Sequence, residues 1–331
     1  MLIRKREFIK FSFLNLFLLF FFKLNLKAKD IKNTKVLTNL IFFEHIISPD
    51  HPEKPDRIKF ILNNLKKSKN SGLLEIINTN RRSEKWIREI HSENHINSLK
   101  KFYPLAEKVS RYAVKVCLTG VDKIIKKESK NIFCAVRPPG HHALNTGKEE
   151  GFCYYNHVAI TAKYIQNKYK LKKILIVDWD YHHGNSTEHF FYNDPTVLFF
   201  STHDQFAYPG TGSPKRRGNG KGFGFNINVH LPCKTKDEQI IKAFNQILLP
   251  NVHKFKPDFI LISAGFDSRK NDTLGCFDLS DDCFRKLTRI LKNLSKLYCD
   301  NRILSILEGG YNLDGNAKAS IAHIEELNNL N

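Results

Sequence analysis

The stretch KKILIVDWDYHHGN, residues 172–185, runs four apolar residues straight into two carboxylates and two imidazoles. Ile174 to Val177 are apolar at successive rather than alternate positions, as in a strand buried on both faces of a parallel sheet. Five other runs read the same way: NIFCAVRP (131–138), TVLFFSTH (196–203), GFNINVHL (224–231), PDFILISAG (257–265) and RILSILEGG (302–310). Amphipathic stretches lie between them, among them residues 155–169, 236–255 and 280–298, each predicted as a helix. Short β runs alternating with helices define an α/β fold with a parallel sheet.

Polar clusters follow the strands. RPPGHHA (137–143), DWDYHHGN (178–185), STHDQ (201–205), AGFDSRKND (264–272) and EGGYN (308–312) each come directly after an apolar run. Ligands of open parallel sheets bind beyond the carboxyl ends of the strands. Five such clusters at five strand ends point to an enzyme active site.

Within the first stretch, strand alternation puts Asp178, Asp180 and His182 in line and turns Trp179, Tyr181 and His183 the other way. Two carboxylates and an imidazole on one face need positive charge between them, and a divalent ion supplies it. A hydrogen-bonded array without metal is the plainer reading of D-x-D-x-H. Asp267, after another strand, is a candidate third ligand or else a helix cap. His141 and His142, held behind two prolines, suit an acid–base pair. Tyr311 follows two glycines and could donate to a developing oxyanion.

The bulk numbers narrow the class. The chain has 331 residues, 41% of them hydrophobic, and a net charge of +20. Lysine is spread along the whole sequence, which reads as a solvated basic surface rather than a specific nucleic-acid site. An idle module binding an anionic polymer is the competing reading from another function class. The seven cysteines, Cys117, Cys134, Cys153, Cys233, Cys276, Cys283 and Cys299, contain no CxxC pair. They are expected to be reduced, mostly buried thiols, and they exclude a thiolate zinc site.

At the N-terminus Arg4, Lys5, Arg6 and Lys10 precede FSFLNLFLLFFF (11–22), which Lys23 ends. The run is short for a membrane span of about 20 residues and suits the core of a secretory signal. RKREFIK (4–10) is similar to a twin-arginine export signal, a route for folded, metal-loaded proteins. Residues 1–28 are therefore read as a signal sequence or N-terminal anchor, the sole membrane contact, and residues 30–331 as one catalytic domain. The expected location is periplasmic or exported, with the cytoplasm as the alternative.

HPEKPDRI, RPPGHHA, EGFCYYNHVAI, ILIVDWDYHHGN, VLFFSTH, YPGTG, ISAGFDS and LEGGYN together resemble the histone deacetylase family, in the family's order and over roughly residues 42–325. The resemblance implies the arginase/deacetylase fold, with a single eight-stranded parallel sheet flanked by helices. It implies Zn²⁺ on Asp180, His182 and Asp267, although Fe²⁺ or Co²⁺ suits the same ligands. His141 and His142 match the catalytic pair, with Asp178 and Asn185 behind them, and Tyr311 matches the oxyanion donor. Gly151, Phe152 and Tyr208 match the acyl-lysine channel. Leu274 stands where polyamine-preferring relatives carry an acidic gatekeeper, and the loss of that carboxylate disfavours a cationic polyamine and favours an acetyl-lysine peptide. Asp178, the carbonyls of Asp180 and His182, and Ser201 look like a structural K⁺ site.

The implied reaction is hydrolysis of an acetyl-lysine amide, or that of a related small acetylated amine, by metal-activated water with His142 as base. An acetylpolyamine amidohydrolase is the alternative. Asn185 and Glu308 look like the class II branch. KKFYPLAEKVSRYAVKVC (100–117) lacks the aspartate that relatives use to clamp a peptide backbone. Oligomeric state is not legible.

Three further signals carry no catalytic reading. His91 and His95 are at helical spacing, but Ser92 stands where a metalloprotease needs glutamate. GNGKGFGF (218–225) imitates a phosphate loop without the following Ser or Thr. Ser280 is a helix cap.

Overall fold

The strand Ile174–Asp178 is buried at all five positions, and so are Val197–His203, Phe259–Ala264 and Ile303–Leu307 at all of theirs. Such strands require cover on both faces, and the computed structural model, which describes residues 32–329, supplies it. The strands are β1 (Lys32–Thr38), β2 (Leu74–Ile76), β3 (Ser129–Cys134), β4 (Ile174–Asp178), β5 (Val197–His203), β6 (Asn226–His230), β7 (Phe259–Ala264) and β8 (Ile303–Leu307). They form one sheet in the order β2-β1-β3-β8-β7-β4-β5-β6, parallel throughout. This is the eight-stranded sheet that the sequence implied.

Helices Pro104–Ile125 and His157–Tyr169 pack on each other and on the central strands. Asp281–Tyr298 and Leu313–Asn328 form a second packed pair on the sheet, with Asp56–Lys67 against the latter. Ser280 caps its helix as expected, its side chain accepting from Cys283 N at 3.1 Å.

Three differences from the sequence reading have physical causes. β1 and β2 went unread because β1 (KNTKVLT) is half polar and β2 has only three residues. Residues 236–255 are not one helix: Asp237–Ala243 and Leu249–Phe255 are joined through a π turn, Phe244–Leu248. Pro250 has no N–H to continue the regular ladder, and Leu249 N bonds back to Phe244 O instead. Third, the cysteines are not all free. Cys233 and Cys276 pair as a disulfide with Cα atoms 5.2 Å apart, while the other five are buried thiols. Their 43-residue separation hid the pairing; Lys234 N to Cys276 O and Asp278 N to Thr235 O, both 2.8 Å, lay the two loops together.

No helix among the described residues is long and apolar enough to cross a membrane. The signal-like residues 1–28 lie outside the described residues.

Candidate active site

β3, β8, β7, β4 and β5 are consecutive in the sheet, and they are the strands whose ends carry the five polar clusters. The clusters therefore converge at one place, the carboxyl edge of the sheet. Register aligns them: Asp178 pairs with Ser201 on one side and Ser263 on the other.

β4 ends at Asp178, so strand alternation does not explain how Asp180 and His182 come to share a face. Hydrogen bonds do. Asp180 Oδ1 accepts from His182 N at 2.9 Å and its Oδ2 from Gly309 N at 2.8 Å. Asp267 Oδ1 accepts from Tyr181 N at 2.8 Å, and Asp267 Oδ2 lies 3.0 Å from His182 Nδ1. Asp180, His182 and Asp267 present donor atoms all within 4.8 Å of one another. Both carboxylates are fully buried. Burial and the neighbouring Asp180 push Asp267 up to about 7. Burial disfavours the His182 imidazolium, but Asp180 and Asp267 outweigh it and raise the group to about 10. Two oxygens and a nitrogen in a pocket that calls for positive charge fit a three-ligand catalytic divalent site.

Glycines make room for this arrangement. A methyl group on Gly265 would overlap the Asp180 carboxylate, and one on Gly309 would overlap the carboxylates of Asp267 and Asp180.

His141 and His142 stand beside the cluster with ring centroids 4.0 Å apart. His141 Nδ1 donates to Asp178 Oδ2 at 3.0 Å, and His142 Nδ1 donates to Asn185 Oδ1 at 2.8 Å. The partners set opposite electrostatics. Burial opposes charge on His141, but Asp180 and Asp178 hold it well above the ordinary imidazole value. Burial, His141 and His182 drive His142 well below it. The two imidazoles thus differ in how their surroundings favour charge, which suits an acid–base pair.

The sequence reading missed the frame behind these groups. Glu308 Oε2 accepts from Gly140 N at 2.6 Å and His141 N at 3.2 Å, fixing the histidine loop. Arg57, fully buried, donates through Nε to Gly310 O at 2.7 Å, also to Glu308 O, and lies over the Tyr311 ring at 4.8 Å. Glu53 pairs with Arg57 at 3.2 Å and with Arg137 at 2.5 Å. A Glu–Arg pair four apart in HPEKPDR was the available signal, but nothing local shows that it is buried.

Above the cluster opens a cavity of about 440 Å³ lined by residues including Gly151, Phe152, Tyr208, Leu274 and Tyr311. Tyr311 is buried, its ring 5.8 Å from that of Phe152, while Tyr208 and Leu274 are exposed at the outer end. Gly151 has φ 54° and no room for a side chain, since His142 and Tyr208 close on it.

The remaining candidates also find places. Ser201 Oγ lies 2.8 Å from His203 Nδ1, beside buried Asp178. His183, read as a non-ligand, is buried 2.8 Å from Thr211 Oγ1. His91 and His95 are buried and bond Asn145, Asn156 N, Tyr154 O and Gly147 N, bracing the loop beneath the cavity wall. The glycine-rich 218–225 leads into β6, not into a helix.

Such a sheet, with this cluster at the ends of its central strands, is the arginase/deacetylase fold. Residues 51–327 match the family described as the histone deacetylase domain, and the chain belongs to that family. It is 34% identical over 302 residues to a protein named "Probable deacetylase" from Archaeoglobus fulgidus, covering 85% of this chain and 83% of that protein. It is also 34% identical to histone deacetylase 6 of Caenorhabditis elegans, over 91% of this chain but 35% of the relative, so it spans about a third of that protein's length. The crystal structure of an HDA15 HD domain superposes with a TM-score of 0.83 at 32% identity, covering 90% of this chain and 88% of that one.

Proposed function

We propose that this protein is a metal-dependent deacetylase that hydrolyses the amide between an acetyl group and a primary amine on a lysine-like stem. The observation that carries this reading is the meeting of Asp180, His182 and Asp267 within 4.8 Å at the floor of a narrow, aromatic-walled cavity. Zn²⁺ on these ligands, or Fe²⁺ or Co²⁺ in its place, would supply a Lewis acid for the acetyl oxygen and lower the pKa of the attacking water.

The chain's own groups do the rest. His142, its Nδ1 engaged by Asn185, uses Nε2 to take the proton of the attacking water. The water oxygen bonds to the acetyl carbon, and the Tyr311 hydroxyl donates to the oxyanion that forms. The carbon–nitrogen bond then breaks, a proton passes from the histidine pair to the amine nitrogen, and acetate and amine leave. His141, where Asp180 and Asp178 favour the protonated ring, lends positive charge beside that centre. Phe152 and Tyr208 pass the aliphatic stem and exclude water. Asp178, Ser201 and the carbonyls of Asp180 and His182 would hold a structural K⁺, and residues 1–28 act as an export signal.

The test is acetate release from an acetyl-lysine peptide by zinc-loaded full chain. Turnover that collapses in His142→Ala supports the assignment. Undiminished turnover in that variant, or none in the loaded wild type, overturns it.

A further inference from the structure

The amino edge of the sheet, opposite the active site, carries charge that no step of the reaction uses. Four turns enter consecutive strands there: 126–128 before β3, 299–302 before β8, 256–258 before β7 and 170–173 before β4. Hydrogen bonds join three of them side by side, Asp258 N to Lys173 O at 2.7 Å and Arg302 Nε to Asp258 O at 3.0 Å. Lys126, Lys127, Lys130, Lys170, Lys172 and Lys256 are all exposed along this row. None of them pairs with a carboxylate among the described residues. The acids of the row are already engaged. Glu128 pairs with Lys123 at 3.1 Å and Asp300 with Arg302 at 3.3 Å, and Asp258 accepts from Lys172 N and Lys173 N at 2.9 and 2.8 Å.

A lysine-rich composition does not by itself produce such a row. On the helix flanks, Lys59, Lys286 and Lys318 each have an aspartate three or four residues away. At the edge, Lys127, Lys170 and Lys256 stand at φ 57°, 60° and 53°, a left-handed backbone that glycine adopts freely and a side chain adopts at a cost. A helix dipole favours a cation at its C-terminus, which accounts for one lysine per helix end but not for Lys130 or Lys172 beyond it. Positive charge is crowded here. Burial lowers the Lys292 ammonium, Arg289 and Lys130 add to the shift, and Glu326 opposes it without cancelling it.

Two features fit a bilayer better than a nucleic acid. Leu297, 61% exposed in the last turn of Asp281–Tyr298, sets an apolar side chain at the same edge. β1 also enters at this edge, with Lys32 in register with Ser129, and the apolar run 11–22 ends ten residues before Lys32. Ten residues reach at most about 35 Å, so a surface that takes up the run lies within that length of the edge. Twelve apolar residues are short for a span, and a single weak insertion is reversible. A basic face beside it supplies a second contact.

We propose that the amino edge of the sheet is a docking surface for an anionic phospholipid bilayer, with the lysine row against the headgroups and the active site turned away from them. The inference goes beyond the deacetylase reading and does not depend on it.

The experiment is flotation of the full chain with vesicles of phosphatidylcholine alone or of phosphatidylcholine with phosphatidylglycerol. The anionic vesicles should bind on the order of tenfold tighter or more, and raising salt from about 0.1 to about 0.5 M should erase the difference. Lys127→Asn, Lys170→Asn and Lys256→Asn combined keep a residue tolerant of the left-handed backbone and remove three charges. This edge variant should bind anionic vesicles roughly 10- to 100-fold more weakly. Lys59→Gln, Lys286→Gln and Lys318→Gln combined remove as much charge from the flanks and should bind nearly as the wild type does. Equal binding to the two vesicle types overturns the proposal, and so does an equal loss in the two variants. Undiminished binding by the edge variant overturns it as well. If circular dichroism shows that variant unfolded, Lys126→Gln, Lys130→Gln and Lys172→Gln combined take its place under the same outcomes. Duplex DNA bound more tightly than the anionic vesicles, with the same loss in the edge variant, would give the surface to nucleic acid and overturn the lipid assignment.

Discussion

His142 Nδ1 stands 2.8 Å from Asn185 Oδ1, whereas the adjacent His141 has a carboxylate behind it. The amide can orient an imidazole but cannot neutralise an imidazolium, so His142 stays the more readily neutral of the two. Asn185→Asp should raise its basicity. A general base works unprotonated, so the acidic limb of the kcat/KM profile should move to higher pH, with activity at low pH lost first. A profile that does not move would show that His142 is not the base.

Tyr311 is buried and held over the cavity floor by Arg57 beneath its ring. Tyr311→Phe removes only the hydroxyl. It is expected to lower kcat by on the order of 10²- to 10³-fold, the usual effect of losing one oxyanion donor. The melting temperature should barely change, because the ring contacts remain.

Gly309 N donates to Asp180 Oδ2, and its missing side chain leaves space for both ligand carboxylates. Gly309→Ala should therefore weaken metal retention by roughly 10- to 100-fold, as disturbed ligand support does elsewhere. The check is metal content of the purified variant after dialysis against graded chelator, which does not depend on turnover.

Cys233–Cys276 closes a loop across 43 residues and ties the strip bearing Leu274 to the segment after β6. Such a bridge stabilises by about 2–4 kcal/mol, mainly by restricting the unfolded chain. Adding reductant should lower the wild-type melting temperature and leave Cys233→Ser unaffected. Equal responses in the two proteins would mean that the bridge contributes nothing.

Glu188 is buried among His183 (3.4 Å), Arg216 (2.5 Å) and Asn228 (2.6 Å). Burial alone would raise its carboxyl, but these partners win and lower it from 4.5 to about 2. A group depressed in the folded state contributes stability above its unfolded value and loses it as pH falls. The melting temperature should thus decline between about pH 4.5 and 2, and Glu188→Gln should flatten that part of the curve.

What the sequence disclosed was local and periodic. Six strands could be read because apolar side chains at successive positions mark a doubly covered sheet, and the motif clusters followed them directly. Asp180, His182 and Asp267 were found through their residue types, although the strand geometry first invoked for Asp180 and His182 stops at Asp178. β1, β2 and the Cys233–Cys276 bridge went unread because each depends on partners far along the chain. Arg57 was read only as part of HPEKPDRI, with no role, because its acceptor Gly310 O is more than 250 residues away.

Gly265 and Gly309 press bare backbone against the two carboxylates of the candidate metal site. At both positions a side chain as small as that of alanine would have to push one of these carboxylates aside, so the backbone of two separate loops sets how closely the three candidate ligands can gather.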